Sequence, residues 1–134
     1  MKVLLGIGLS LLLIGSALAT KPCSPDSWFS NPKRPSAEWA EMAKWVAVAK
    51  VKKRKEIIEP YHNCYMQDRS KCTMEDRSII TVKVIRFEKG SEKIKVLQKG
   101  YCAPSPPKKV GETLRFYGND PESYLYYEPL EEKD

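Results

Sequence analysis

The 134-residue chain holds a single histidine, His62. With one imidazole, neither a nucleophile–base pair nor a histidine-rich metal centre has much to be built from. Gly-x-Ser-x-Gly is missing as well, and no cluster of metal ligands at a usual spacing stands in its place. Paired carboxylates can converge in three dimensions, but nothing in the order of residues announces them. The chain is therefore read as non-enzymatic, with no catalytic residue, no metal and no cofactor. It has no Asn-x-Ser/Thr acceptor, so N-glycosylation is not expected. It also lacks internal repeats and any linker long enough to divide it into domains.

The one long apolar run comes first. Lys2 precedes residues 3–14, interrupted only by glycine and one serine, and Ala17-Leu18-Ala19 sets small residues at −3 and −1 of a cleavage point after Ala19. Residues 3–19 sit at the lower edge of a membrane span, and no basic cluster follows at once. Residues 1–19 are read as a signal peptide and residues 20–134 as one exported domain, extracellular or, in a bacterium, periplasmic. The formal net charge is +6, one unit of it from Lys2, which favours solubility and acidic surfaces without naming a partner. Cys23, Cys64, Cys72 and Cys102 all fall in the exported part. An even number there argues for two disulfides over metal ligation or redox chemistry, and spacing alone does not choose among the three pairings.

Residues 78–99 organise the rest. Ile80, Val82 and Val84 alternate with Ile79, Thr81, Lys83, Ile85 and Phe87 in one predicted strand. Ile94 and Val96 alternate with Lys93, Lys95 and Leu97 in the next, and residues 88–92 between them have the chemistry of a five-residue hairpin loop. Upstream, Trp45-Val46-Ala47-Val48-Ala49-Lys50-Val51 reads as a strand apolar on both faces, buried on one and partly covered on the other. Downstream, three prolines stiffen residues 100–109. Residues 113–118 and 124–127 give a fourth and a fifth strand, before an acidic tail over 128–134 that is expected to be mobile.

Residues 20–35 hold four prolines and read as an extended lead-in, with Trp28-Phe29 packed on the body of the domain in the favoured reading and an exposed contact pair in the other. Ser36 is placed to cap a short helix, Glu38 stands near its positive end, and Trp39, Met42 and Ala43 form one apolar stripe. The first strand runs on into Lys50-Val51-Lys52-Lys53-Arg54-Lys55. That run is either a solvated strand end or a patch for an acidic partner. No aromatics interleave for base stacking, so nucleic acid is not expected. Residues 56–77 form a polar excursion in which Cys64 and Cys72 are positioned to staple the tip of a long hairpin. His62 and these two cysteines lack a fourth ligand for zinc. Closing so short a loop stabilises by less than the ~3 kcal/mol of a 15-residue loop.

Five short strands, a helix before the first and no catalytic motif suggest a mainly β, partly open barrel of the OB type. The passage Glu38-Trp39-Ala40-Glu41-Met42-Ala43-Lys44-Trp45-Val46-Ala47-Val48-Ala49-Lys50-Val51 is followed by Val82-Lys83-Val84-Ile85-Arg86-Phe87-Glu88-Lys89-Gly90. A cysteine comes after the next strand, and Val110-Gly111-Glu112-Thr113-Leu114-Arg115-Phe116-Tyr117 ends the series. Over residues 23–127 this order resembles the netrin-type (NTR) module, specifically the N-terminal domain of the tissue inhibitors of metalloproteinases (TIMPs) and their small bacterial relatives. The resemblance implies a five-stranded OB barrel and a disulfide from the N-terminal cysteine to the cysteine after the third strand. Those positions are Cys23 and Cys102 here, which leaves Cys64 with Cys72. In that family the amino group and carbonyl of the N-terminal cysteine chelate a protease's zinc. Here Thr20-Lys21-Pro22 precedes Cys23, and the family's Cys-x-Cys is replaced by Cys23-Ser24-Pro25, so chelation in that form is not implied.

The expected function is that of a secreted binding module resembling the metalloendopeptidase inhibitors. Its contact edge would lie within residues 23–29 and 101–104, with Cys23, Ser24, Pro25, Tyr101, Cys102 and Ala103 as its named residues, and its partner a protease or another extracellular protein. The second reading is an acidic polysaccharide or envelope surface bound through Lys50, Lys52, Lys53, Arg54 and Lys55. Neither nucleic acid nor a membrane is an expected partner once the leader is removed.

Overall fold

The computed structural model describes residues 23–60 and 73–130. The predicted leader, His62, Cys64 and Cys72, and the readings made on them, lie outside the described residues. Two eleven-residue strands dominate, β1 (Trp45–Lys55) and β4 (Ile79–Lys89). β4 is rich in β-branched residues that suit a pleated surface, and β1 carries three valines. They pair antiparallel, with register shifts at Val46/Ala47, Val48/Ala49 and Val51/Lys53. Such irregularities bend the pair and raise its twist. β6 (Thr113–Gly118) lies on the other edge of β1, and β8 (Tyr126–Pro129) lies beyond it. β5 (Val96–Lys99) follows β4, and β7 (Ser123–Tyr124) runs parallel to β5.

The sheet order is β7-β5-β4-β1-β6-β8. Only Leu125 separates β7 from β8 in the chain, so the two ends of the sheet are almost one segment and the sheet curls into a half-barrel. β2 (Ile58–Pro60) and β3 (Met74–Asp76) form a separate two-stranded ladder at the base of the excursion. α1 (Ser36–Met42) precedes β1.

Period-two burial builds the main core. Trp45, Ala47, Ala49 and Val51 of β1 meet Ile80 and Val82 of β4, Leu97, Leu114, Phe116 and Tyr124. The other face of β1 is apolar for a different reason. Val46 packs there with Trp39, Ala43 and Tyr117, flanked by Trp28, Met42, Leu125 and Tyr126. Val48 is also buried. Its cross-strand neighbours are Arg86 and Arg115, both ion-paired with Glu88, and paired residues share a face. Gly118 allows a close approach, because a Cβ at this position would stand 2.2 Å from Cζ2 of Trp45.

The structure departs from the sequence reading at several points. Among the described residues there are eight strands instead of five, because the excursion starts as a ladder and the fifth strand breaks. The break is at Leu125, whose N–H donates to Tyr117 O at 2.7 Å while its side chain joins the smaller cluster. β5 starts only at Val96. Ile94 reaches the core from the loop ahead of the strand, Leu97 points inward, and Val96 is left 45% exposed. Pro35 occupies the N-cap position expected for Ser36, whose hydroxyl instead donates to Glu128. Glu128 therefore belongs to β8 and not to a tail. Trp28 packs as expected, but Phe29 is 69% exposed.

Candidate functional site

Residues 23–34 are wound into successive turns and are not extended. Short polar side chains offer the backbone local partners, and here Ser24 is the hub. Its carbonyl accepts from the Ser27 N–H at 3.0 Å, from the Ser27 hydroxyl at 2.7 Å and from the Ser30 hydroxyl at 2.9 Å. Its own hydroxyl accepts from Asp26 N–H at 3.2 Å. The wound segment is fixed to the body by the Cys23–Cys102 disulfide and by Phe29 N–H donating to Cys102 O at 3.1 Å.

Cys102 has φ 61°, the only positive φ among the described non-glycine residues. That conformation costs on the order of 1 kcal/mol or more and persists where surroundings over-determine it. The over-determination is visible in the disulfide, the Phe29 bond, and the adjacent Ala103 N–H donating to Gly100 O at 3.1 Å. Behind this loop, Tyr124 OH donates to Pro104 O at 2.7 Å and Tyr127 OH to Ser105 O at 2.6 Å. Burial pushes the Tyr127 phenol up to about 12 and that of Tyr124 further, so both remain neutral donors. Pro106 and Pro107 are buried. The edge is thus held from both sides.

Five of the six predicted edge residues share this surface. Ser24, Pro25 and Tyr101 are exposed, and Cys23 and Cys102 are half-buried. Ala103 is the exception. It belongs to the main core and anchors the loop, because the turn at Cys102 directs the next side chain inward. Beside the edge lies a cavity of about 440 Å³, walled by Trp28, Trp39, Met42 and Leu125, with Asp26, Tyr101 and Asn119 at the polar and aromatic side. Trp39 is held between Tyr126, stacked at 5.0 Å, and the Arg34 guanidinium, 5.1 Å from the ring centroid. Phe29, which closes the expected stretch of residues 23–29, stands exposed on the edge. Leu125 was missed as an edge residue, and the sequence offered no signal for it, since its place depends on the strand break.

The basic run separates. Lys50, Lys52, Lys53 and Lys55 are exposed. Arg54 is withdrawn, its side chain only 11% exposed. Its guanidinium pairs with Asp76 and Glu56, and its Nε donates to Pro107 O at 3.1 Å. It stands opposite Ile80 after the register shift at Val51/Lys53, which turns it toward the barrel end. Partial burial would raise the Asp76 pKa. The hydrogen bonds from the Ser78 hydroxyl and N–H, together with the Arg54 charge, outweigh that and hold it below its ordinary value. Arg54 therefore ties β1 to β3 and to residues 106–107, and does not belong to an open patch.

Comparison with protein-family models, curated proteins and solved structures finds no match to this chain.

Proposed function

We propose that the chain is an exported, non-enzymatic binding module of TIMP/NTR-like OB type, whose contact surface is the edge stapled by Cys23–Cys102. The observation that carries this reading is the disulfide itself. It joins the two cysteines that the family resemblance pairs, across a sequence separation of 79 residues. A structural disulfide is consistent with a compartment outside the cytoplasm. Strand pairing supports the fold assignment. Taking β7 and β8 as one interrupted strand leaves five main strands, with β1 between β4 and β6 and the last strand contacting both β5 and β6.

The edge has the attributes of a protein contact. Phe29 and Tyr101 stand exposed on a backbone held by the disulfide, by the Phe29 N–H bond to Cys102 O and by the Ala103 N–H bond to Gly100 O, so little ordering entropy remains to be lost on binding. With residues 20–22 ahead of it, the Cys23 nitrogen is an amide, and a protease would be met by the edge and its aromatic rim instead of by a chelating amine. The test is titration of zinc metalloendopeptidases and serine proteases with the exported protein. Inhibition that weakens about tenfold in Phe29→Ala or Tyr101→Ala supports the reading. Lack of inhibition at micromolar concentration, or inhibition indifferent to both substitutions, contradicts it.

A further inference from the structure

The outer face of β1, β4 and β5 gathers residues that the sequence scatters over 46 positions. Lys50 pairs with Lys83, Lys53 with Thr81, and Lys55 with Ile79, and Thr81 pairs in turn with Val96. Paired residues in an antiparallel ladder share a face. Val51, Val82, Ile80 and Leu97 take the core side, so this set faces outward. Lys93 and Lys95 adjoin it from the β4–β5 connection. Among the described residues, no carboxylate lies within ion-pair distance of Lys50, Lys53, Lys55, Lys83, Lys93 or Lys95. The arginines of the sheet, by contrast, are all paired. Like charges directly opposite, as at Lys50 and Lys83, are unfavourable for the isolated sheet, and a partner of opposite charge relieves that cost.

The face also carries aliphatic surface. Val96 is 45% and Ile85 56% exposed. A cleft of about 380 Å³ opens where Ile79, Val96 and Pro121 meet, with Lys93 and Lys95 at its rim and Gln98 and Glu122 completing it. No aromatic ring stands among these residues to stack on a sugar or a base. Cations around exposed aliphatics are the chemistry of a surface that meets anionic headgroups and the apolar layer just beneath them.

We propose that this face docks on a membrane surface containing anionic phospholipid. The lysines meet the headgroup phosphates, and Val96 with the Ile79–Pro121 cleft takes up the glycerol and upper acyl region. Glu122 directs the phosphate toward the Lys93–Lys95 side of the cleft. This departs from the sequence expectation of no membrane partner, because the linear run shows only the β1 lysines. Lys83 and Val96 join them through the pairing, and Lys95 from the connection ahead of β5. It stands independently of the protease-contact edge, which uses other residues.

The test is cosedimentation of the exported protein with vesicles of phosphatidylcholine alone or with about one third phosphatidylglycerol. Binding to the anionic vesicles only, falling as salt rises, is the expected result. The neutral pair Lys53→Gln with Lys83→Gln should reduce it about 25-fold, fivefold per lysine, and Lys53→Glu with Lys83→Glu should reduce it further still. Val96→Asn should weaken it severalfold at unchanged charge, while Lys44→Glu, away from this face, should have little effect. Failure to bind anionic vesicles overturns the proposal. So does salt-sensitive retention on an acidic polysaccharide without vesicle binding, which assigns the lysines to that partner. Binding indifferent to Val96→Asn also overturns it, reducing the effect to general cation adhesion.

Discussion

Phe29 donates its backbone N–H to the carbonyl of Cys102 at 3.1 Å, alongside the disulfide that joins Cys102 to Cys23. The covalent link and the hydrogen bond act on the same two segments, 79 residues apart in the case of the cysteines, and fix an otherwise turn-rich lead-in to the barrel.

Removing the link should therefore cost more than one local contact. Cys23→Ser with Cys102→Ser is expected to lower stability by about 4 kcal/mol, the chain-entropy value for a loop of this size. Urea unfolding of the double variant against the oxidised wild type measures it. A loss below about 1 kcal/mol would mean that the turns of residues 23–34 hold the edge unaided.

Asp76 gives the domain an acid limit. Its folded-state pKa lies below the ordinary 3.8, because bonds from Ser78 and the charge of Arg54 outweigh the cost of burial. A depressed carboxylate contributes stability that is fully present above the unfolded value and is lost as pH falls through the folded one. The urea midpoint should fall below about pH 4, and Asp76→Asn should flatten that fall while lowering stability at neutral pH. Arg54→Ala should cost about 2–3 kcal/mol, below the range for fully buried pairs because both side chains retain some exposure. A pH profile unchanged by Asp76→Asn would contradict this.

Tyr127 limits the alkaline side. Its phenol is raised to about 12, mainly by burial, so stability is complete below the unfolded value near 10 and declines as pH rises toward 12. An ultraviolet titration should show several tyrosines ionising late, Tyr117, Tyr124 and Tyr126 along with Tyr127, and Tyr127→Phe should remove one tyrosine's share of that late absorbance change. The same change should cost about 1 kcal/mol through loss of the bond to Ser105 O.

Gly118→Ala tests the close approach at the start of β1. The added carbon would meet the Trp45 ring at 2.2 Å, and overpacking of this kind costs typically 1–3 kcal/mol. Thermal unfolding followed by tryptophan emission reports both the loss and the displaced ring. An unchanged midpoint would show that the Trp45 ring, despite its bond to Asp120 O at 3.0 Å, and the Ser123 carbonyl, 2.8 Å from the added carbon, can both give way.

Much of the sheet was legible because alternation is a local signal. Ile80, Val82 and the β1 alanines fall inward where period two puts them. So was the Trp39–Ala43 stripe, which needs only the helical repeat. Three features escaped, each decided by contacts distant in the chain. The inward turn of Ala103 depends on Cys102 adopting a left-handed backbone. The withdrawal of Arg54 depends on a bulge and on Asp76, 22 residues away. Val96 lies outward because Ile94 reaches the core before β5 begins. The proposed contact edge was traceable chiefly through its cysteines, and the pairing between them came from the family resemblance.

The most direct test is a non-reduced peptide map of the protein as its source produces it, with its first residue identified by mass. A chain beginning at Thr20, with Cys23 linked to Cys102 and Cys64 to Cys72, is the predicted result. It would leave the Cys23 nitrogen an amide on a stapled edge. A chain beginning at Cys23 would overturn the non-chelating mode of contact. Free thiols or crossed pairings would contradict the edge itself.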